Sequence, residues 1–199
     1  MELNGLQPII VALIYLVTII NADIVLLNGN CPFDDLKASS EANVSNFGGQ
    51  INVLAETFEE KRDRSDTTSF FEVVKPNVIK DTSKCRSRET GECMKFNIFL
   101  KATSTVGVYD TYYEEAPNSD SYVEFRTYFL YFDKGQLGVS FMCRDLEEKT
   151  YAAELKILSG STKKYDNKIK RKVKKILNSN NISYLEPYLD TTNFDNPCQ

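Results

Sequence analysis

The stretch YVEFRTYFLYFDKGQLGVSFMCR, residues 122–144, contains two candidate β-strands on either side of a turn signal at Lys134-Gly135. A two-residue turn would pair the strands as follows: Phe132 with Leu137, Tyr131 with Gly138, Leu130 with Val139 and Phe129 with Ser140. Both faces of this hairpin are then largely apolar, which a hairpin with one face in water does not need. We therefore expect one face to line an interior and the other to lie beneath a further element.

Strand patterns continue on both sides of this hairpin. The segment CMKFNIFLK at 93–101 alternates with a period of two, which places four apolar residues on one face: Met94, Phe96, Ile98 and Leu100. Further candidate strands lie at 51–58, 68–74, 106–113 and 151–158. Short strands separated by turns, without a helix between them, predict an all-β domain. We expect an antiparallel sandwich or barrel with the strands in meander order.

The period changes near the end of the chain. Apolar residues recur there at spacings of three and four, which predicts one amphipathic helix over about 163–178: Tyr165, Ile169, Val173, Ile176 and Leu177. Thr162 is positioned to cap the helix, and the Asn-rich run from Asn178 ends it. We expect the apolar stripe to pack outside the sheet, with a C-terminal tail at 179–199.

The same helix concentrates positive charge. Eight basic residues lie between Lys163 and Lys175 beside one acid, Asp166, whereas the rest of the chain from residue 23 has 16 basic and 26 acidic residues and a net charge of −10. A solvated helix face accounts for such a run. The alternative is binding to heparin-like glycans or anionic lipid, because polybasic clusters attract anionic surfaces.

The first residues have the pattern of a secretory signal. An apolar run from Pro8 to Ile20 is shorter than a membrane span needs and is followed by Asn21 and Asp23. We predict a signal peptide at 1–22, with an uncleaved anchor or a buried helix as the alternatives. The remaining 23–199 would form a single secreted, extracellular domain with no stable membrane insertion.

The cysteines support the same compartment. Five are present: Cys31, Cys85, Cys93, Cys143 and Cys198. An oxidising compartment favours disulfides, and the odd number leaves one cysteine over, which could link two chains in a dimer. The chain has no CxxC and no His, which argues against zinc. Two sequons, at Asn43 and Asn181, predict glycosylation.

The absence of His also restricts catalysis. The usual general base, the Ser-His relay and His ligation of a metal or haem are all excluded. Adjacent acid pairs such as Glu59-Glu60, Glu114-Glu115 and Glu147-Glu148 point to opposite faces of a strand or lie at turns, which does not suit glycoside hydrolysis. We predict a binding protein rather than an enzyme, without cofactor, metal or nucleic-acid partner.

The order of parts resembles the lipocalin family, most of all its secreted arthropod branch. The features that carry the resemblance run through most of the chain: Cys31-Pro32, Phe47-Gly48-Gly49, Phe132-Asp133, Cys143, Ile157-Leu158-Ser159 before the helix, and Asn193-Phe194-Asp195 before Cys198. The resemblance implies an up-and-down antiparallel β-barrel with one helix packed outside. It also implies a Cys31–Cys143 disulfide and a second one from Cys198 to Cys85 or Cys93, so that the tail is stapled to the barrel wall.

One family feature is absent. Lipocalins have a Trp just after the first-strand glycine and an Arg from the end of the last strand that packs over it. Ile51 and Gly160 stand at these positions, and the chain contains no Trp. The resemblance therefore implies a divergent member whose barrel floor is closed differently.

The resemblance implies a carrier for a small hydrophobic ligand such as a bilin, fatty acid or retinoid, a bound lipid or pigment in the barrel. The expected cavity residues are aromatic or apolar, with the two tyrosines as polar contacts: Phe96, Ile98, Tyr112, Phe125, Phe129, Tyr131 and Met142. A filled core is the alternative to a cavity. In that case the barrel would be a scaffold that binds or inhibits a partner protein through loops such as 59–66.

Overall fold

The computed structural model describes residues 24–58, 64–114 and 121–198. The predicted signal peptide at 1–22 and most of the loop at 59–66 lie outside this range. Ten strands occur in the described part: β1 Val25–Asn28, β2 Gly49–Thr57, β3 Arg64–Lys75, β4 Val78–Ser87, β5 Cys93–Ala102, β6 Val108–Glu114, β7 Tyr122–Asp133, β8 Leu137–Asp145, β9 Thr150–Ser159 and β10 Leu189–Thr191. One α-helix, α1, spans Asn167–Ser179, and short 3-10 helices cover Phe33–Asp35, Val44–Asn46 and Ser183–Tyr188.

Strands β2 to β9 form a closed antiparallel barrel in meander order. Each strand pairs with the next, and β9 pairs back with β2, with Val53 opposite Leu158. β1 extends the sheet along β9, and β10 extends it along β2. The predicted fold class, an up-and-down β-barrel with one helix outside, is confirmed.

Two hydrophobic cores lie on opposite sides of the barrel wall. The inner core contains side chains such as Ile98, Phe129 and Met142. The outer core lies where α1 covers β8 and β9, with Phe141 and Val173 both almost fully buried. The β7–β8 hairpin is thus largely apolar on both faces, as the sequence predicts.

The hairpin register differs from the prediction near the turn. The turn has three residues, so Leu137 pairs with Asp133 rather than Phe132, and Tyr131 pairs with Val139 rather than Gly138. A bulge at Leu130 restores the predicted Phe129–Ser140 pair.

The helix begins later than predicted. The Asp166 carboxylate accepts hydrogen bonds from the backbone N–H groups of Lys168 and Ile169, both at 2.9 Å, so Asp166 rather than Thr162 is the N-cap. Thr162 instead accepts a hydrogen bond from Lys164 N in the preceding turn. Among the described residues, no helix has the length and hydropathy to cross a membrane.

Candidate functional site

The barrel interior contains a small cavity of about 40 Å³. Most of its wall is apolar, but it also includes a group of polar side chains: Asp81, Thr111, Thr127, Ser140, Glu154 and Lys156. Alternation along the strands places these polar groups on the inner face, because each lies two residues from another inward side chain. The cavity is therefore an apolar chamber with a buried ionisable cluster.

Within this cluster, Asp81 is a buried carboxylate with only one of its two oxygens hydrogen-bonded. It lies on β4 between two other inward residues, Ile79 and Ser83, and only 6% of it is exposed. Oδ2 accepts a hydrogen bond from Ser69 Oγ at 3.2 Å, whereas Oδ1 has no hydrogen-bond partner among the described residues. Burial raises the pKa of Asp81 to about 7, and the nearby Lys156 and the Ser69 hydrogen bond only partly oppose this effect.

The other inner charges are arranged around one ammonium group. Lys156 Nζ lies 2.9 Å from Glu154 Oε1 and 5.5 Å from the centre of the Tyr113 ring. Glu56 is the cross-strand neighbour of Lys156 and accepts a hydrogen bond from Thr67 at 3.1 Å. Lys156 thus lies beside the carboxylates of Glu154 and Glu56, and both Lys156 and Glu154 are close enough to Asp81 to act on its charge.

Hydroxyl groups also line the cavity, on β6, β7 and β8. Thr111 and Thr127 share a hydrogen bond of 2.7 Å between neighbouring strands, and Ser140 lies on the next strand with 7% exposure. The two threonine hydroxyls are hydrogen-bonded to each other, and Ser140 has a small side chain. They add polarity to the wall without adding charge.

An aromatic cluster closes the floor of the barrel. Phe47 stacks on Phe132 at 4.6 Å between ring centroids and meets Phe129 edge-on at 4.8 Å. Tyr109 packs beside them and donates a hydrogen bond to the Ala42 carbonyl at 2.7 Å. Phe47 therefore fills the floor in this chain, which lacks the family Trp.

Packing also explains why Gly160 stands where lipocalins have an Arg. A Cβ at Gly160 would lie 2.9 Å from the carbonyl oxygen of Gly135, so no larger residue fits there without movement of the backbone. The close approach of these two glycines completes the floor.

The structure brings together only part of the predicted site. Three predicted residues, Ile98, Phe129 and Met142, line the cavity. Phe96 and Phe125 are buried at 5% and 3% exposure but are not on the cavity wall.

Two predicted residues are not in the interior. Tyr112 is on the outer face, because its neighbours Thr111 and Tyr113 face inward. Tyr131 is also outside, because the bulge at Leu130 turns it toward α1, where its hydroxyl accepts a hydrogen bond from Lys172 Nζ at 2.6 Å. Sequence reasoning missed the charged residues of the interior, Asp81, Glu154 and Lys156, and it missed strand β4 altogether.

Two disulfides are present. Cys31 is bonded to Cys143, the pairing that the resemblance implies, and Cys198 is bonded to Cys93, one of the two partners left open. Cys85, the other candidate, takes part in neither bridge and is fully buried. Both sequon asparagines, Asn43 and Asn181, are exposed. The described residues contain no cluster of acidic, Cys or His side chains suited to a metal ion.

Neither protein-family models nor curated proteins match the sequence. Solved structures do. Insecticyanin from the tobacco hornworm Manduca sexta is 18% identical, with a TM-score of 0.65 over 86% of this chain and 89% of that one. Lobster apocrustacyanin A1 is 13% identical, with a TM-score of 0.63 over 84% and 89%. H1 crustacyanin from the lobster Homarus americanus is 15% identical, with a TM-score of 0.63 over 84% and 89%.

The fold and the matched structures define the class: this chain has the lipocalin fold. The three similar structures come from arthropods, in agreement with the branch that the sequence resembles. At identities this low the similarity establishes the fold and leaves the ligand to be argued from the interior itself.

Proposed function

We propose that this protein is an extracellular carrier that holds a small, largely apolar ligand inside the barrel, with a positively charged or hydrogen-bond-donating group of the ligand directed at Asp81. The observation that carries the proposal is the unpartnered Oδ1 of a buried carboxylate on the wall of a cavity. The two disulfides support an oxidising, extracellular setting.

The chemistry of Asp81 favours a cationic ligand over an acidic one. A buried carboxylate without a second partner is costly, and an ammonium group within hydrogen-bonding distance would offset that cost. A fatty acid would instead bring its carboxylate toward Asp81 and Glu154. We therefore favour an amine over the fatty acids that the family resemblance suggests.

The size of the cavity favours a compact ligand. A volume of about 40 Å³ has room for about three water molecules. Sites for drug-sized ligands usually measure about 300–1,000 Å³. Met142, a flexible side chain on the wall, is the residue that we expect to move first when a ligand enters. A ligand as large as a bilin would require the Phe47 cluster to open.

The same small volume favours a second candidate function. If the interior remains filled, the barrel acts as a rigid scaffold and the protein binds a partner protein through its loops. This is the alternative that the sequence left open, and it predicts no effect of Asp81 on binding.

Isothermal titration calorimetry with two matched probes tests the proposal. We expect 2-phenylethylamine to bind, and 3-phenylpropionate, which replaces the amine with a carboxylate, to bind at least about tenfold more weakly. Asp81→Asn should abolish the preference for the amine. The control Glu124→Gln removes one exposed carboxylate from β7 and should leave it unchanged.

Equal binding of both probes, or an amine preference that survives in Asp81→Asn, would overturn the role of Asp81. Failure of both probes to bind the unmodified protein would instead support the scaffold function.

A further inference from the structure

The outer face of α1 presents a straight row of cations. Lys168, Arg171 and Lys175 follow one another at spacings of three and four, and all three are exposed. Residues at such spacings lie above one another on a helix, so the three charges form a line about 10 Å long. Lys164, just before the helix, is also exposed. We refer to Lys168, Arg171 and Lys175 as the basic row.

The helix is held in place, so the row has a fixed geometry. Val173 and Leu177 are almost fully buried against the barrel, and Asp166 caps the first turn. The apolar side of α1 is therefore already occupied by the protein's own outer core. The basic row faces away from that core.

The basic row lacks carboxylate partners within the described part of the chain. One ion pair links α1 to a described carboxylate, between Lys174 Nζ and Glu186 Oε2 at 3.6 Å. Lys170 and Lys172 lie over the rings of Tyr165 and Tyr131 instead. Arg171 uses Nε to donate a hydrogen bond to a backbone carbonyl of its own helix, at Asn167. The positive charges of the basic row therefore repel one another, and no described carboxylate forms an ion pair with them.

We propose that the basic row is a binding site for a linear polyanion, a sulfated glycan chain. A narrow chain with anionic groups along its length can follow the row and neutralise each cation in turn. The rest of the protein is acidic, so a thin chain that touches only the row avoids the repulsion that a broad anionic surface would meet. This site is on the opposite side of the wall from the cavity and is independent of the ligand proposed there.

Other partners fit the row less well. A helix that binds a membrane surface buries its apolar face in the lipid, and the apolar face of α1 is buried in the barrel. Single-stranded nucleic acid needs aromatic side chains for base stacking, and the row has none. A protein partner would be expected to anchor on exposed aromatic or large apolar residues, and none of the exposed ones lies on α1.

Chromatography on immobilised heparin tests the site in the intact protein. We expect retention that weakens as salt is raised, since exposed charges are screened within about 8 Å at physiological ionic strength. The triple variant Lys168→Gln, Arg171→Gln, Lys175→Gln should elute at clearly lower salt. The matched control Lys95→Gln, Lys101→Gln, Lys134→Gln removes three exposed cations elsewhere and should elute with the parent.

Two further measurements make the result specific. Thermal unfolding should be similar for both triple variants, because neither removes a buried group. Soluble heparin should displace the protein from the column, whereas desulfated heparin and phosphatidylserine vesicles should not. Equal elution of the two triple variants, or equal competition by the vesicles, would overturn the proposal.

Discussion

Asp81 makes the stability of the protein depend on pH. Its pKa is about 7 in the folded state and about 3.8 in an unfolded chain, so the folded state binds the proton more tightly. The contribution to stability is therefore complete below about pH 4 and is lost as the pH rises toward the folded pKa. We expect the free energy of unfolding to fall by up to about 4 kcal/mol from this group between about pH 4 and about pH 8.

Urea unfolding of the parent and Asp81→Asn at both pH values measures this effect. The variant should be less sensitive to pH than the parent over this window and more stable than the parent at the higher pH. Glu124→Gln should behave like the parent. A parent and Asp81→Asn with the same pH dependence would contradict the assignment.

The affinity for an amine should change with pH in the opposite direction. Only the ionised Asp81 attracts an ammonium group, and the ionised fraction falls below about pH 7. We expect binding of 2-phenylethylamine to be roughly 100-fold weaker at about pH 5 than at about pH 8, in proportion to that fraction. Calorimetry across this range measures it, and an affinity independent of pH would argue against contact with Asp81.

Phe47 should be the most sensitive residue of the barrel floor. It is 6% exposed and contacts four other rings, so Phe47→Ala should cost about 3–5 kcal/mol of unfolding free energy. Phe70→Ala is the matched control, because Phe70 is 50% exposed and its loss should cost much less. Equal losses in thermal or urea unfolding would show that Phe47 does not close the floor.

At the level of elements, apolar periodicity predicted seven of the barrel strands and the helix. It failed for β4, VIKDTSKCRS, because the inward positions of that strand include Asp81 and Ser83. A strand whose buried face is polar has no apolar alternation to detect. For the same reason the sequence did not indicate the candidate site, because the burial of Asp81 is visible only in the folded barrel.

The register of the β7–β8 hairpin near its turn also could not be predicted from the sequence. A three-residue turn and a bulge at Leu130 have opposite effects on pairing, so that Phe129 reaches its predicted partner although Tyr131 does not. Periodicity cannot separate these two compensating changes. For this reason Tyr131 lies on the outer face of the barrel and not in the interior where the sequence analysis placed it.

The C-terminal tail is held to the barrel by a disulfide and by hydrogen bonds. Besides the Cys93–Cys198 bridge, Asn196 N donates to Asp66 Oδ1 at 2.9 Å, and its carbonyl accepts from Arg86 Nε at 3.0 Å. Cys198→Ser should lower the unfolding free energy by about 2–4 kcal/mol and expose the tail to carboxypeptidase. Cys85→Ala, which removes a thiol but no bridge, should leave the tail resistant. A tail equally resistant in both variants would show that the hydrogen bonds suffice.

At the scale of the whole molecule, the buried position of Cys85 disfavours the covalent dimer that an odd number of cysteines suggests. Its exposure is 0%, so the thiol cannot reach a second chain while the barrel is closed. We expect the intact mass without reductant to be that of one chain, and alkylation of Cys85 only after denaturation. A doubled mass that reductant removes would contradict this.

The Cys31–Cys143 bridge has a consequence for how the chain reaches its fold. Every barrel pair joins consecutive strands except the closing pair of β2 with β9, which brings Val53 to Leu158. The bridge shortens the covalent path between these residues from about 100 to about 40 residues, which lowers the entropic cost of closure by about 1 kcal/mol. Refolding with this bridge intact should therefore be faster than refolding of the reduced chain, because the slowest encounter becomes a more local one.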